Sequence, residues 1–201
     1  RTEPNNCCCW CWNCCRRHNL RTMIKGVIIV NNHGKVRLRK FFSTVEQLSE
    51  EQKGSVVRRV YQQVACRPDT FCNYLEGSIP EFGEGTKLIY RHYATLYFIF
   101  AVDAQESDLG ILDLIQVFVE ALDKSFENVC ELDLIFHSDK VHYVLDEIVM
   151  GGMVIETNIN SIMVAVNDQS RLHSHSMRIV TTEASDSRKR VSRPPGIGSN
   201  Y

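Results

Sequence analysis

The sequence predicts an α+β domain in which helices cover an antiparallel sheet, and three observations carry that prediction. Ile24 to Val30 is a β-branched run, followed by the turn-forming residues Asn31 to Gly34 and a second extended run from Lys35 to Phe42, the pattern of a hairpin. Lys87 to Tyr93 and Thr95 to Val102 make a second strand pair, rich in aromatic and β-branched residues. Between and after these pairs the apolar spacing lengthens to three and four residues, so the strands meet as hairpins while helices cover the sheet faces.

Taken in order, the first hairpin begins at Met23. In its second strand the period-two rule places Val36 and Leu38 on one side and Lys35, Arg37 and Arg39 on the other. Such a basic row reads either as a charged edge that blocks aggregation or as an anion-recognising ridge. Ser49 with Gln52 fits a capping box for a helix running to about Ala65, with Val56, Val57, Val60, Tyr61 and Val64 on its buried side and Gly54 weakening its first turn. Arg67 to Asp69 ends that helix. A short segment from Phe71 to Leu75 precedes a loop, Gly77 to Gly85, marked by its glycines and proline. After the second strand pair, Ser107 caps a helix expected to run to Asn128. Its polar positions, Asp113, Gln116, Glu120, Asp123, Lys124 and Glu127, describe one narrow stripe, so the helix is expected to be buried on several sides, partly by another protein. An extended piece is expected at Leu132 to Phe136. Ser138 then opens a helix with Val141, Val144, Leu145, Ile148 and Val149 on one face, ending at Gly151 and Gly152, and a weaker amphipathic segment spans Ile159 to Leu172.

The chain has 201 residues, enough for one domain with loose ends. Its formal net charge of -1 gives no general attraction to nucleic acid or to an anionic membrane. No apolar run approaches the roughly 18 to 20 residues that cross a bilayer, and no secretory pattern opens the chain, so a soluble or peripheral protein is expected. Six of the nine cysteines fall within the first fifteen residues (Cys7, Cys8, Cys9, Cys11, Cys14 and Cys15), and both tryptophans lie beside them. Cys11, Cys14 and His18 have no second well-spaced pair, so no metal is expected, and residues 1–22 read as a non-native or disordered leader. From His173 to Tyr201 the apolar period is lost, and that tail reads as disordered, its Arg188 to Arg190 cluster and its two histidines, His173 and His175, as solvated side chains. The domain is placed at residues 23–172.

Three separated segments carry a family resemblance: Met23 to Leu38 (MIKGVIIVNNHGKVRL), Lys87 to Phe98 (KLIYRHYATLYF) and Phe126 to Leu134 (FENVCELDL). In this order they resemble the small (sigma) subunits of the heterotetrameric clathrin-type adaptor complexes. Tyr90 to Tyr97 (YRHYATLY), Gly110 to Phe118 (GILDLIQVF) and Met150 to Met153 (MGGM), with the loop before Lys87, are most similar to the third such complex. The resemblance implies a longin-like fold, a five-stranded antiparallel sheet flanked by helices. It further implies a delta-type large subunit as direct partner, beta-type and medium subunits in the same heterotetramer, and no cofactor. Its implied task is sorting between endosome or Golgi and lysosome or vacuole, on the cytosolic face of Golgi, endosomal and vesicle membranes. The implied ligand is an acidic dileucine signal, an acidic residue followed after three positions by two apolar ones. By motif, Ala94, Leu96, Val119, Val129, Leu132 and Leu134 line the dileucine pocket, Asn128 offers polar contacts to the peptide backbone, and Arg37 faces the acidic position. Periodicity alone assigns Leu96, Val119 and Leu134 to the core as readily as to a pocket.

Two other classes compete. His92, Cys130 and His137 admit a Cys-His enzyme, yet Cys130 lies in no nucleophile motif, and no catalytic residue is assigned. Another longin-type trafficking regulator, such as a SNARE, requires heptads and usually an anchor after the domain, which the Ser/Arg/Pro tail does not supply.

Overall fold

The computed structural model describes residues 24–68, 71–76 and 79–172. The expectations for residues 1–22 and 173–201 lie outside the described residues. Strand β1 (Ile24–Asn31) and strand β2 (Val36–Phe41) form the first hairpin, helix α1 (Glu50–Ala65) follows, and β3 (Tyr74–Glu76), β4 (Thr86–Tyr93) and β5 (Leu96–Asp103) complete a five-stranded sheet in the order β2-β1-β5-β4-β3. Every pairing in it is antiparallel. Helices α2 (Asp108–Phe126), α3 (Glu131–Phe136) and α4 (Ser138–Ile148) come next, and residues 159–172 are helical as α5.

The two central strands explain the layers. β1 and β5 are apolar at nearly every position, so each sends side chains into a core on both faces. On one face Val27, Ile29, Phe98, Phe100 and Val102 pack with Ile111, Leu114, Ile115, Phe118 and Leu122 of α2, with Val141, Val144, Leu145 and Ile148 of α4, and with Ile162 and Val166 of α5. On the other, Ile28, Val30, Ile99 and Ala101 meet Val56, Val57, Val60 and Val64 of α1. Each such side chain, fully buried, contributes about 1.5–3 kcal/mol of transfer free energy, which is why the helices lie flat on the sheet. The capping box that opens α1 is formed as expected: Gln52 N–H donates to Ser49 Oγ at 3.3 Å and Ser49 N–H to Gln52 Oε1 at 3.0 Å.

α2 is covered by the sheet and by α4, burial on more than one side as its narrow polar stripe predicts, with Leu109 exposed and Leu112, Val117, Val119 and Phe126 partly covered. Three expectations change. The segment Leu132 to Phe136 is not extended but belongs to α3, because Asp133 accepts the Cys130 N–H at 2.9 Å and closes a first helical turn. α4 is capped at His137 rather than Ser138, and it ends at Ile148. Val149–Met150 and Met153–Val154 then form a small hairpin, β6 and β7, across Gly151 and Gly152, both at positive φ. Finally, Arg37 and Arg39 do not share a face. The register between β1 and β2 shifts from Ile29↔Leu38 to Val30↔Val36, which leaves Arg37 as the extra residue of a bulge. Arg37 therefore reaches Glu131 of α3, while Arg39 reaches Glu50 at the start of α1.

Candidate functional site

The bulge aims Arg37 at the end of the sheet where the β1–β2 turn, the β4–β5 turn and the N-terminus of α3 converge. Glu131 is the hub. Its Oε1 accepts from Arg37 Nη2 at 2.7 Å, from Arg37 Nε at 2.9 Å and from Asn31 Nδ2 at 3.0 Å, and its Oε2 is 3.5 Å from Thr95 Oγ1. The guanidinium, first, and then the Asn31 amide hold the Glu131 carboxyl below its ordinary range. Asn31 is itself nearly buried: its Oδ1 takes the His33 and Lys35 N–H groups at 3.0 and 2.8 Å, which fixes the turn that carries it.

The apolar residues implied by the family lie beside this hub. Leu96 opens β5 opposite Asn31, and Leu134 lies on the inner side of α3; both are buried in one cluster, with 7 % and 1 % of their surface exposed. Val119 of α2 and Val129 of the α2–α3 link pack against the margin of that cluster. Leu132 is on the outer side of α3 and 59 % exposed, separated from Leu134 by about 200° of helical rotation. Ala94 and Asn128 are exposed turn residues in the left-handed region, with φ of 52° and 85°. Asn128 follows the C-cap of α2, where Asp123 Oδ1 accepts the Val129 N–H at 3.1 Å and steers the chain toward α3. The site is an apolar margin with a cation at one end; among the described residues, clefts open beside Ile79 and Thr86 and beside Phe71 and Tyr90.

Sequence reading named Arg37 and the apolar set but not Asn31, Thr95 or Glu131. Asn31 was legible only as a turn residue, and Glu131 only as a letter within the FENVCELDL run. The histidines weighed for enzymatic chemistry are engaged in ring contacts: His92 stacks on Tyr97 with centroids 4.2 Å apart, and the His137 ring lies 6.0 Å from that of Phe126.

The family described as "Clathrin adaptor complex small chain" matches residues 23–173. The chain is 59% identical over 150 residues to AP-3 complex subunit sigma-2 of Homo sapiens, covering 75% of this chain and 76% of that one. It is 56% identical over 152 residues to the AP-3 complex subunit sigma of Dictyostelium discoideum (75% and 87% covered) and 46% identical over 157 residues to that of Arabidopsis thaliana (78% and 92% covered). A chain of a structure described as a homology model of the full-length AP-3 complex in a stretched open conformation superposes with a TM-score of 0.56 at 38% identity, covering 83% of this chain and 99% of that one. The antiparallel five-stranded sheet with its flanking helices, and a match that runs from β1 through α5, lead to one conclusion: the chain belongs to the clathrin adaptor complex small chain family.

Proposed function

We propose that this chain is the small subunit of an AP-3-type adaptor heterotetramer in vesicle-mediated protein transport, and that it reads acidic dileucine signals together with a delta-type large subunit. A beta-type and a medium subunit complete the assembly, which works on the cytosolic face of Golgi, endosomal and vesicle membranes in traffic toward lysosome or vacuole. The chain binds and positions; it has no catalytic role. Residues 23–172 form the working domain.

The observation that carries the reading is the placement of a guanidinium, Arg37, at the end of an apolar margin made by Leu96, Val119, Val129 and Leu134. A signal with an acidic residue and two leucines calls for that pairing of a cation with apolar side chains. Ala94 and Asn128 bring exposed backbone to the rim, and Leu132 supplies an outward apolar contact.

The test uses the reconstituted heterotetramer and fluorescence anisotropy with two labelled peptides, one acidic dileucine and one tyrosine-based. Removing a charge-assisted hydrogen bond typically costs about 1.5–3 kcal/mol, roughly ten-fold or more in affinity, so Arg37→Ser should weaken the dileucine peptide by about that factor. Val119→Asp places an unpaired carboxylate among apolar groups and should abolish dileucine binding while the complex still assembles. The tyrosine peptide should bind both variants as it binds the parent. Unchanged dileucine affinity in both variants would refute the site, and a pull-down lacking a delta-type chain would refute the assembly.

A further inference from the structure

We propose that Glu131 sets how strongly this site discriminates acidic from neutral cargo, by cancelling the Arg37 charge with an internal carboxylate; this rests on the dileucine reading above. The geometry is specific. Arg37 gives both its Nε–H and one Nη2–H to the same oxygen, Glu131 Oε1, so Glu131 grips the guanidinium from its side. A guanidinium has five donors, and the remaining three lie on Nη1 and on the second Nη2–H, the edge that receives a carboxylate with two parallel hydrogen bonds. Among the described residues no acceptor meets Nη1. Arg37 therefore keeps a free edge for a ligand carboxylate, while the Arg37–Glu131 pair as a whole carries little net charge to attract it.

The second oxygen of Glu131 is almost unengaged, with only Thr95 Oγ1 at 3.5 Å. Asn31 Nδ2 at 3.0 Å keeps the carboxylate in place independently of Arg37. It follows that an incoming cargo carboxylate meets a salt bridge rather than a bare cation: attraction to Arg37 is offset by repulsion from Glu131. Both partners are half-buried, with side chains 18% and 28% exposed, so solvent screens the pair only in part. Selectivity then rests mainly on the apolar margin, and the acidic residue adds little unless Glu131 is neutralised. Gln at this position keeps an acceptor oxygen for Arg37 and Asn31 while removing the negative charge, so it separates charge from geometry.

The experiment measures, on the reconstituted heterotetramer, the affinity of a labelled peptide with Glu at the acidic position and of its twin with Gln there. The parent should prefer the Glu peptide by no more than about three-fold. Glu131→Gln should raise that preference to about ten-fold or more. Arg37→Ser leaves Glu131 uncovered and should reverse the preference, and the Arg37→Ser/Glu131→Gln pair should bind the twins equally, a coupling that independent sites do not produce. A Glu/Gln ratio in Glu131→Gln equal to or below the parent's overturns the proposal, because Glu131 would then only orient Arg37. If neither twin binds the parent, or if Val119→Asp binds both as the parent does, the dileucine reading itself falls.

Discussion

Two glycines test how tightly individual residues are held. A Cβ built on Gly26 of β1 would lie 2.8 Å from Phe41 Cδ1 and 3.3 Å from Phe82 Cε1, and those two rings lock against each other with centroids 5.9 Å apart. Gly26→Ala must displace a buried ring, and overpacking of this kind costs about 1–3 kcal/mol. Gly54, inside α1, has nothing within 4 Å of its Cβ position, so Gly54→Ala should stabilise by about 0.5–1 kcal/mol. Thermal melts of the two variants in the assembled complex should move in opposite directions. Glu131 gives a pH prediction. Its carboxyl is held below the ordinary value of 4.5 in the fold, so its contribution is present above that value and lost as pH falls through the lower, folded one. The stability gap between the parent and Arg37→Met should therefore be constant near neutrality and close on acidification below about pH 4.5, as followed by melting at stepped pH. At this scale the alternation of the sequence misplaced the direction of Arg37. Period two assumes an unbroken ladder, and nothing in the letters around Val36 marks the bulge that turns Arg37 away from Arg39.

Elements were legible where they are long or carry a cap. α1 announced itself by Ser49, Gln52 and its valines, and removing the cap with Ser49→Ala should cost about 1 kcal/mol, a fall in Tm of about 2–4 °C for a chain of this size. A melt within error of the parent would mean that the box is redundant with the burial of Val56 and Val57. α3 was illegible because six residues hold less than two turns, too few for a period to separate a helix from a strand. Leu132, Leu134 and Phe136 alternate as in a strand, and only the Asp133 side chain closing back on Cys130 decides the matter. The β6–β7 hairpin was hidden for a related reason: paired glycines end a helix and also make a tight turn, and the sequence does not say which. The candidate site inherits this limit, since three of its members, Glu131, Leu132 and Leu134, sit on α3.

At the scale of the whole molecule, one sheet separates two cores, one under α1 and one under α2, α4 and α5. Large apolar side chains remain outside, among them Leu109 on α2, Leu132, Ile135 and Phe136 on α3, and Met150, Met153 and Ile155 around the small hairpin. Permanent complexes commonly bury on the order of 2,000 Å² or more of such surface. The isolated chain should be poorly soluble and be rescued by co-expression with a delta-type large subunit; a monodisperse monomer in size-exclusion chromatography would count against this. Deleting residues 1–22 should leave the Tm of the assembled complex unchanged, since the domain proposed here starts at β1.

The place of β1 has a bearing on biosynthesis. Among the described residues it comes before every other strand of the sheet, yet it lies between β2 and β5, and its first residue, Ile24, donates its N–H to Gly152 O at 2.9 Å, far along the chain. Until β5 leaves the ribosome, β1 carries one unpaired edge of apolar residues, and its start is not anchored until the small hairpin arrives. Contacts so distant in sequence form slowly, and an open strand edge is the surface on which chains aggregate. The nascent chain is thus most vulnerable over the interval between Asn31 and Leu96, when slowed translation would expose that edge to chaperones for longest.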